Sequence, residues 1–145
     1  MTEQTIIDTD NSFKEKLCPG LTGEASLVVT DANTAIALGS GSVPVLATPA
    51  MAALMEAAAV HALAGVLGEG QSSVGVHLDI QHLAATPLGL TVRAEARLMT
   101  IEGRRLTFRV SAFDDEEQVG VGTHQRVIVD TDRFLRRTAF KGKKG

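Results

Sequence analysis

One carboxylate lies in the most apolar stretch of this 145-residue chain. Residues 49–67 are mostly alanine, leucine, methionine and valine, and their only strongly polar side chains are Glu56 and His61. This composition predicts a helix that is buried on every side. Because burying an ionised carboxylate without partners is costly, Glu56 should be paired, protonated or retained for chemistry. We therefore take Glu56 as the first candidate catalytic residue.

A histidine at the end of an alternating strand is the second candidate. The apolar side of this strand carries Val74, Val76, Leu78 and Ile80, and then His82. If the strand runs straight, the His82 imidazole points toward the helix, and His77 points to the opposite face. A carboxylate and an imidazole that share a cavity can divide acid and base roles by shifting each other's pKa. A histidine that is simply satisfied within the core is the alternative interpretation.

Thr48 is the third candidate, and it has two interpretations. It precedes Pro49 at the predicted helix start, where threonine is a favoured N-cap and proline is favoured at the first helical position. The same hydroxyl could instead face a substrate carbonyl or a water. Glu56 follows roughly 12 Å further along the axis, so we expect the two side chains to bracket a groove rather than touch. His61 points about 140° away from Glu56 and is predicted to be structural.

The elements around these residues change period along the chain. Residues 24–30 alternate as a strand, 34–38 suggest another short strand, and the 49–67 helix is predicted to end at Gly68 and Gly70. A meander of four period-two strands is predicted to follow, with hairpin turns at Glu102-Gly103 and Asp114–Glu117. The first of the four strands is the one that carries His82. The apolar face of the second is formed by Leu90, Val92, Ala94, Ala96 and Leu98, that of the third by Leu106, Phe108, Val110 and Ala112, and that of the fourth, over 118–130, by Val119, Val121, Val127 and Val129.

This order predicts an α+β domain, because helices and strands are segregated rather than alternating. One antiparallel sheet covers only part of a helix that is apolar all round. A sheet that curls around the helix, in a chain that also dimerises, would complete the burial, and this is the hot-dog arrangement. We predict a single domain over residues 1–145.

Charge and cysteine content narrow the class of protein. The net charge is −3, but residues 133–145 hold six basic side chains and no acidic one, so residues 1–132 carry −9. A body this acidic argues against nucleic-acid binding. We expect the basic end to be a solvated, partly flexible tail, or else to attract an anionic ligand. Cys18 is the only cysteine and residues 1–8 lack a signal-peptide pattern, so we expect a cytoplasmic protein.

The same residues argue against a membrane helix and a metal site. The 49–67 stretch is rich in alanine, carries Glu56 and His61, and lacks flanking basic anchors. The four histidines show no ligand-like spacing with acids or cysteine. His124 and Arg126 are predicted to lie opposite the valines of the last strand, where a solvated arginine is the simplest interpretation.

Several motifs are spread in order over about residues 45–134: Ala47-Thr48 with Met51, Leu54-Met55-Glu56, Ala62-Leu63, His82 to Pro87, Gly89 to Val92, Glu102 to Leu106, Val110 to Ala112 and Gly122 to Arg126. Together they resemble the fluoroacetyl-CoA thioesterase family of hot-dog enzymes. The resemblance implies that Thr48, Glu56 and His82 are catalytic, and that Arg126 and the backbone of Gly75 lie near the substrate. It also implies a homodimer with active sites near the interface; a tetramer stays open.

The resemblance implies hydrolysis of an acyl-CoA thioester, with CoA as part of the substrate and no metal or bound cofactor. Residues 39–45 lack the aromatic lid residues of the fluoroacetate enzyme, so we expect a general small acyl-CoA as substrate. Two alternatives stay open, a non-catalytic acyl-CoA sensor and a hot-dog hydratase. The hydratase usually has an Asp-His dyad on its helix, which Glu56 and His61 do not match.

Overall fold

The computed structural model describes residues 16–143. The residues 1–8 considered for a signal peptide, and Lys144 of the basic end, lie outside the described residues. The elements in chain order are β1 (Thr22–Val28), a 3-10 turn (Asp31–Asn33), α1 (Ala35–Leu38), α2 (Thr48–Ala62), β2 (Gln71–His82), β3 (Thr91–Glu102), β4 (Arg105–Phe113), β5 (Gln118–Asp130) and α3 (Thr131–Lys143).

The five strands form one antiparallel sheet in the order β1-β3-β4-β5-β2. Only β3, β4 and β5 form a meander, so the predicted meander of four strands is wrong for β2, which does not pair with β3. The turns of the meander lie at Gly103-Arg104, one residue later than predicted, and at Asp114–Glu117 as predicted. Because β2 crosses to pair with β5, β1 and β2 are the two edges of the sheet. The edge strand β2 therefore carries His82 and Gly75 next to β5, which carries Arg126.

The long helix α2 packs on the sheet through one side only. The buried side carries Met51, Leu54, Met55, Ala58, Ala59 and Ala62. Gly23 lets β1 approach closely, since a Cβ there would collide with the backbone of Ala58 and Ala62. On the other side Val60 is 46% exposed and the Glu56 side chain 43% exposed. The prediction of burial on every side is therefore wrong for the single chain.

Two predicted boundaries change for local reasons. Residues 34–38 form no strand, because the Thr34 hydroxyl accepts from the Ala37 N–H and Gly39 ends a short helix in the left-handed region. The helix predicted over 49–67 ends at Ala62, after which the chain tightens into turns and Gly65 takes a φ of 79°. Thr48 is the first helical residue rather than the N-cap, which is Ala47.

The last strand faces the opposite way from the prediction over most of its length. His124, Arg126 and Ile128 are buried, whereas Val121, Val127 and Val129 are half-buried on the other face. The valine pattern predicts the wrong buried face, because polar side chains occupy the helix-facing side of β5. In β2, a bulge at Val76 divides the strand, so Gly75 and Leu78 lie opposite helix-facing residues of β5, whereas Val74 does not. His82 still faces the helix as predicted.

The basic end of the chain forms helix α3, whose side chains are mostly exposed. It begins beside β2, where the Ser72 and Thr131 hydroxyls are 2.5 Å apart and the Thr131 N–H bonds the Gly70 carbonyl. Within residues 16–143, none of the helices is long and apolar enough to cross a membrane.

Candidate active site

Thr48 and His82 form the first half of the candidate site. The Thr48 hydroxyl is 2.7 Å from His82 Nδ1, so this hydroxyl serves the histidine instead of capping the helix. The pair joins the start of α2 to the end of β2. Both residues line an open groove of about 400 Å³, whose other walls are Ala35, Ser40, Gly41, Val43, Val45, Leu46, Leu83, Ala84 and Ala85.

The other ring nitrogen of His82 has no partner. Nε2 is buried and makes no hydrogen bond to the described part of the chain. Burial also lowers the pKa of His82 from its ordinary value of 6.5. A neutral imidazole that is fixed at Nδ1 and unpartnered at Nε2 can accept or donate a proton there.

Glu56 and Arg126 form the second half of the site. Glu56 Oε2 is 3.4 Å from Arg126 Nη1, and Arg126 is held in turn by Ser73, through Nε to Oγ (2.8 Å) and Nη2 to the backbone carbonyl (3.0 Å). The Arg126 side chain is only 8% exposed. The interpretation of Arg126 as a solvated surface residue is therefore wrong, and Glu56 is paired rather than isolated.

His124 completes this second half, although no role was predicted for it from the sequence. It is 1% exposed, and its Nε2 lies 3.1 Å from Arg126 Nη1 and 3.8 Å from Glu56 Oε2. Its Nδ1 is 2.8 Å from the His77 carbonyl. The signal that could have identified it is its place in the motif Gly122 to Arg126, two residues from Arg126 and on the same face of the strand.

Gly75 lies directly against this cluster. A Cβ at this position would collide with the Glu56 carboxylate and come within 3.3 Å of Arg126 Nη1. Any larger residue would therefore displace Glu56 or Arg126. The β2 bulge follows at Val76, where the ladder to β5 is interrupted. The structure thus brings Gly75, Glu56 and Arg126 into one cluster.

The two halves do not meet within one subunit. Thr48 and Glu56 are eight residues apart on α2, which is roughly 12 Å along the axis. Glu56 bonds toward Arg126, whereas Thr48 bonds toward His82 at the other end of β2. The predicted meeting of Glu56 and His82 in one cavity of the subunit is therefore not found among the described residues, and the groove lined by Thr48 and His82 does not include Glu56.

His61 lies apart from both halves. Its Nδ1 is 2.5 Å from the Glu24 carbonyl, and the side chain is exposed. This contact ties α2 to β1 and fits the structural role predicted for His61. Among residues 16–143, no three His, Cys, Asp or Glu side chains are grouped closely enough to hold a metal ion.

Comparison with known proteins then identifies the family. Residues 29–132 match the family model described as fluoroacetyl-CoA-specific thioesterase. The chain belongs to this family. A fluoroacetyl-CoA thioesterase of Streptantibioticus cattleyicolor is 47% identical over 90 residues, which span 62% of this chain and 65% of that relative.

Solved structures agree with this family and with the fold. The fluoroacetyl-CoA thioesterase FlK is similar with a TM-score of 0.81 and 37% identity, over 86% of this chain and 97% of FlK. A variant of FlK in complex with acetyl-CoA matches with the same score and identity, over 86% of this chain and 98% of the variant. A hot-dog-like protein from Thermanaerovibrio acidaminovorans has a TM-score of 0.77 and 26% identity, over 90% and 95% of the two chains. These matches confirm the predicted hot-dog fold.

Proposed function

We propose that this protein hydrolyses a small acyl-CoA thioester to the free acid and CoA. The observation that carries the proposal is the unpartnered, buried Nε2 of His82, held through Nδ1 by Thr48 in a member of this thioesterase family. A hydrolase needs a group that can exchange a proton beside the reacting carbonyl, and His82 Nε2 can do so because no other described residue bonds it.

Glu56 supplies the second part of the reaction. As a general base it takes a proton from the water that attacks the carbonyl carbon; as a nucleophile it attacks that carbon itself, and water then cleaves the mixed anhydride. In both routes the C–S bond breaks and the CoA sulfur leaves as a thiolate, which takes up a proton through His82. Arg126 orients the Glu56 carboxylate through the contact of its Nη1 with Oε2.

Thr48 and Gly75 position the reacting groups. The Thr48 hydroxyl fixes the His82 ring and lies at the start of α2, where helix dipoles favour negative charge. We assign the Gly75 N–H to the oxyanion that develops on the thioester carbonyl, because Gly75 lies beside Glu56 at the strand bulge.

The groove supports an uncharged, small acyl group. The side chains that line it are aliphatic or hydroxyl-bearing apart from His82, and none carries a formal charge. An acyl group with a terminal carboxylate would lose its hydration there without a cationic partner. Residues 39–45 contribute nothing larger than valine or proline, so we expect acetyl to short aliphatic acyl groups rather than fluoroacetyl alone.

A homodimer would join the two halves of the site. The exposed side of α2 carries Val60 and Glu56, and the edge strand β2 exposes Val76. Closed two-fold association would cover this apolar surface and the free strand edge. We propose that Glu56 of one subunit then works with Thr48 and His82 of the other. We further propose a cytoplasmic location, since Cys18 is the only cysteine.

Complementation distinguishes a shared site from a site within one subunit. Glu56→Gln and His82→Ala proteins should each be nearly inactive, but mixed dimers would regain one intact site if the halves come from different subunits. Mass spectrometry shows whether mixed dimers have formed. If they have formed and the mixture is still inactive, both halves of each site belong to one subunit. Sedimentation of a stable, active monomer at micromolar concentration would refute the dimer.

A thiol-release assay on a panel of short acyl-CoAs tests the main proposal. Turnover that depends on enzyme concentration would support hydrolysis, whereas tight binding without release of thiol would favour an acyl-CoA sensor. The hydratase alternative has no structural support in this chain, because His61 bonds the Glu24 carbonyl.

A further inference from the structure

The buried imidazole of His124 has a definite hydrogen-bonding state. The His77 carbonyl can only accept, so His124 Nδ1 must carry the proton in their 2.8 Å contact. Arg126 Nη1 can only donate, so His124 Nε2 must be unprotonated in their 3.1 Å contact. Together the two contacts define a neutral imidazole with its hydrogen on Nδ1.

This imidazole shares one guanidinium nitrogen with the candidate catalytic carboxylate. Arg126 Nη1 lies 3.1 Å from His124 Nε2 and 3.4 Å from Glu56 Oε2, while Ser73 holds the other two nitrogens. His124 itself has no freedom to turn away, since β2 holds Nδ1 and the ring lies 6.3 Å from that of Phe108. Arg126 Nη1 is thus held by two neighbouring acceptors, His124 Nε2 and Glu56 Oε2, which lie 3.8 Å apart.

We propose that His124 is a positioning residue that acts through Arg126: its unprotonated Nε2 holds Arg126 Nη1 in the place from which it orients the Glu56 carboxylate. The proposal rests on the function proposed above. His124 does not touch the substrate in this account.

Protonation of His124 at Nε2 would remove the lone pair that accepts from Arg126. A hydrogen on Nε2 would oppose the Arg126 guanidinium and would attract Glu56 Oε2, which is 3.8 Å away. The charged or titratable groups facing the ring are Arg126 on β5, Glu56 on α2 and His77 on β2; the neighbour from β4 is the uncharged Phe108. Burial lowers the pKa of His124, and this keeps the ring neutral near pH 7.

A double-mutant cycle tests the proposal with an acyl-CoA that the wild-type protein hydrolyses. His124→Phe keeps a ring against Phe108 but removes the acceptor, and we expect roughly tenfold lower kcat with KM changed less. Arg126→Met should lower kcat at least as much. If His124 acts through Arg126, the double variant should be no slower than Arg126→Met alone.

Rescue and a matched control complete the experiment. His124→Gln places an amide oxygen near the Nε2 position and should recover most of the lost kcat. His61→Phe removes another histidine that bonds a backbone carbonyl, and it should leave kcat unchanged. Unfolding curves of each variant report whether the fold is kept.

Distinct outcomes separate this inference from the proposed function. Additive losses in the cycle, or wild-type kcat in a folded His124→Phe protein, would overturn the positioning role while hydrolysis stands. If His124→Phe does not fold, the pH profile of His124→Gln decides: the loss of kcat caused by His124 protonation below pH 6.5 should disappear, and an unchanged acidic limb would overturn the role. A wild-type protein without turnover would refute the function instead.

Discussion

The two halves of the candidate site differ in how completely their polar atoms are bonded. In the first half, His82 Nδ1 has one partner, whereas Nε2 has none within residues 16–143. In the second half, all three Arg126 nitrogens have partners, and both nitrogens of His124 are occupied. In the first half, His82 Nε2 is therefore free to exchange a proton. In the second half, the side-chain nitrogens are all hydrogen-bonded, and only the half-exposed Glu56 carboxylate can bond further groups.

This difference indicates what each half does. A proton carrier needs a free lone pair or N–H at the reacting atoms. A charged group that must keep one orientation needs the opposite, a fixed partner that is itself held in place. We therefore assign proton transfer to the Thr48 and His82 half, and the orientation of the Glu56 carboxylate to the Arg126 and His124 half.

The largest predicted effect comes from removing either reacting group. Glu56→Gln and His82→Ala should each lower thioester turnover by about 10² or more, because each removes a positioned acid-base group. Steady-state thiol release, with circular dichroism to show that the fold is intact, measures this. Near wild-type turnover by Glu56→Gln would contradict the mechanism. A more stable Glu56→Gln protein with full activity would show that the carboxylate is only a costly structural charge.

A smaller effect is expected from the partner of His82. Thr48→Val removes the hydroxyl that bonds Nδ1, and the loss of one such hydrogen bond should reduce kcat by about tenfold. Thr48→Ser keeps the hydroxyl and is the matched control. If valine and serine variants have equal kcat values, the hydroxyl does not orient the ring and Thr48 only starts the helix.

The sequence predicted the framework of the fold because local patterns decide it. The apolar faces of β3 and β4 alternate cleanly and are buried as expected. The last strand was different, since its helix-facing side carries His124 and Arg126 and hydrophobicity alone assigned the core to the wrong side. A site built from polar residues on an inward face breaks the pattern that prediction relies on.

The site was predicted in part for the same reason. Thr48, Glu56 and His82 were singled out because polar groups in apolar segments are conspicuous. The contacts that connect Glu56 to Arg126 and His124 depend on the β2 bulge and on pairing between residues about 50 positions apart. Neither is visible in local spacing, so the contacts among Glu56, Arg126 and His124 could be recognised only from the fold.

The basic helix α3 lies near the Arg126 and His124 half, and its positive charge could attract the anionic CoA part of the substrate. It starts beside Ser72, next to the strand residue that holds Arg126. Replacing Arg136, Arg137 and Lys141 by glutamine should raise KM for an acyl-CoA a few-fold and weaken its salt dependence, with kcat little changed. Truncation after Phe134 should do the same. An unchanged KM at low salt would show that the helix is only a solvated end.

The smallest predicted effect is on stability, and it separates the histidines of the two halves. The pKa values of His124 and His82 are both lowered from 6.5, chiefly by burial, so each stays neutral in the folded protein at pH values where the unfolded chain binds a proton. The unfolding free energy should therefore fall as the pH drops below about 6.5 and level off below the folded pKa values. At fixed protein concentration, urea titrations should show that the unfolding free energy of His124→Gln depends less steeply on pH than that of the wild type. The change should be smaller for His82→Gln, because His82 is only half-buried. Equal slopes for wild type and His124→Gln would show that the ring is not held neutral by the fold.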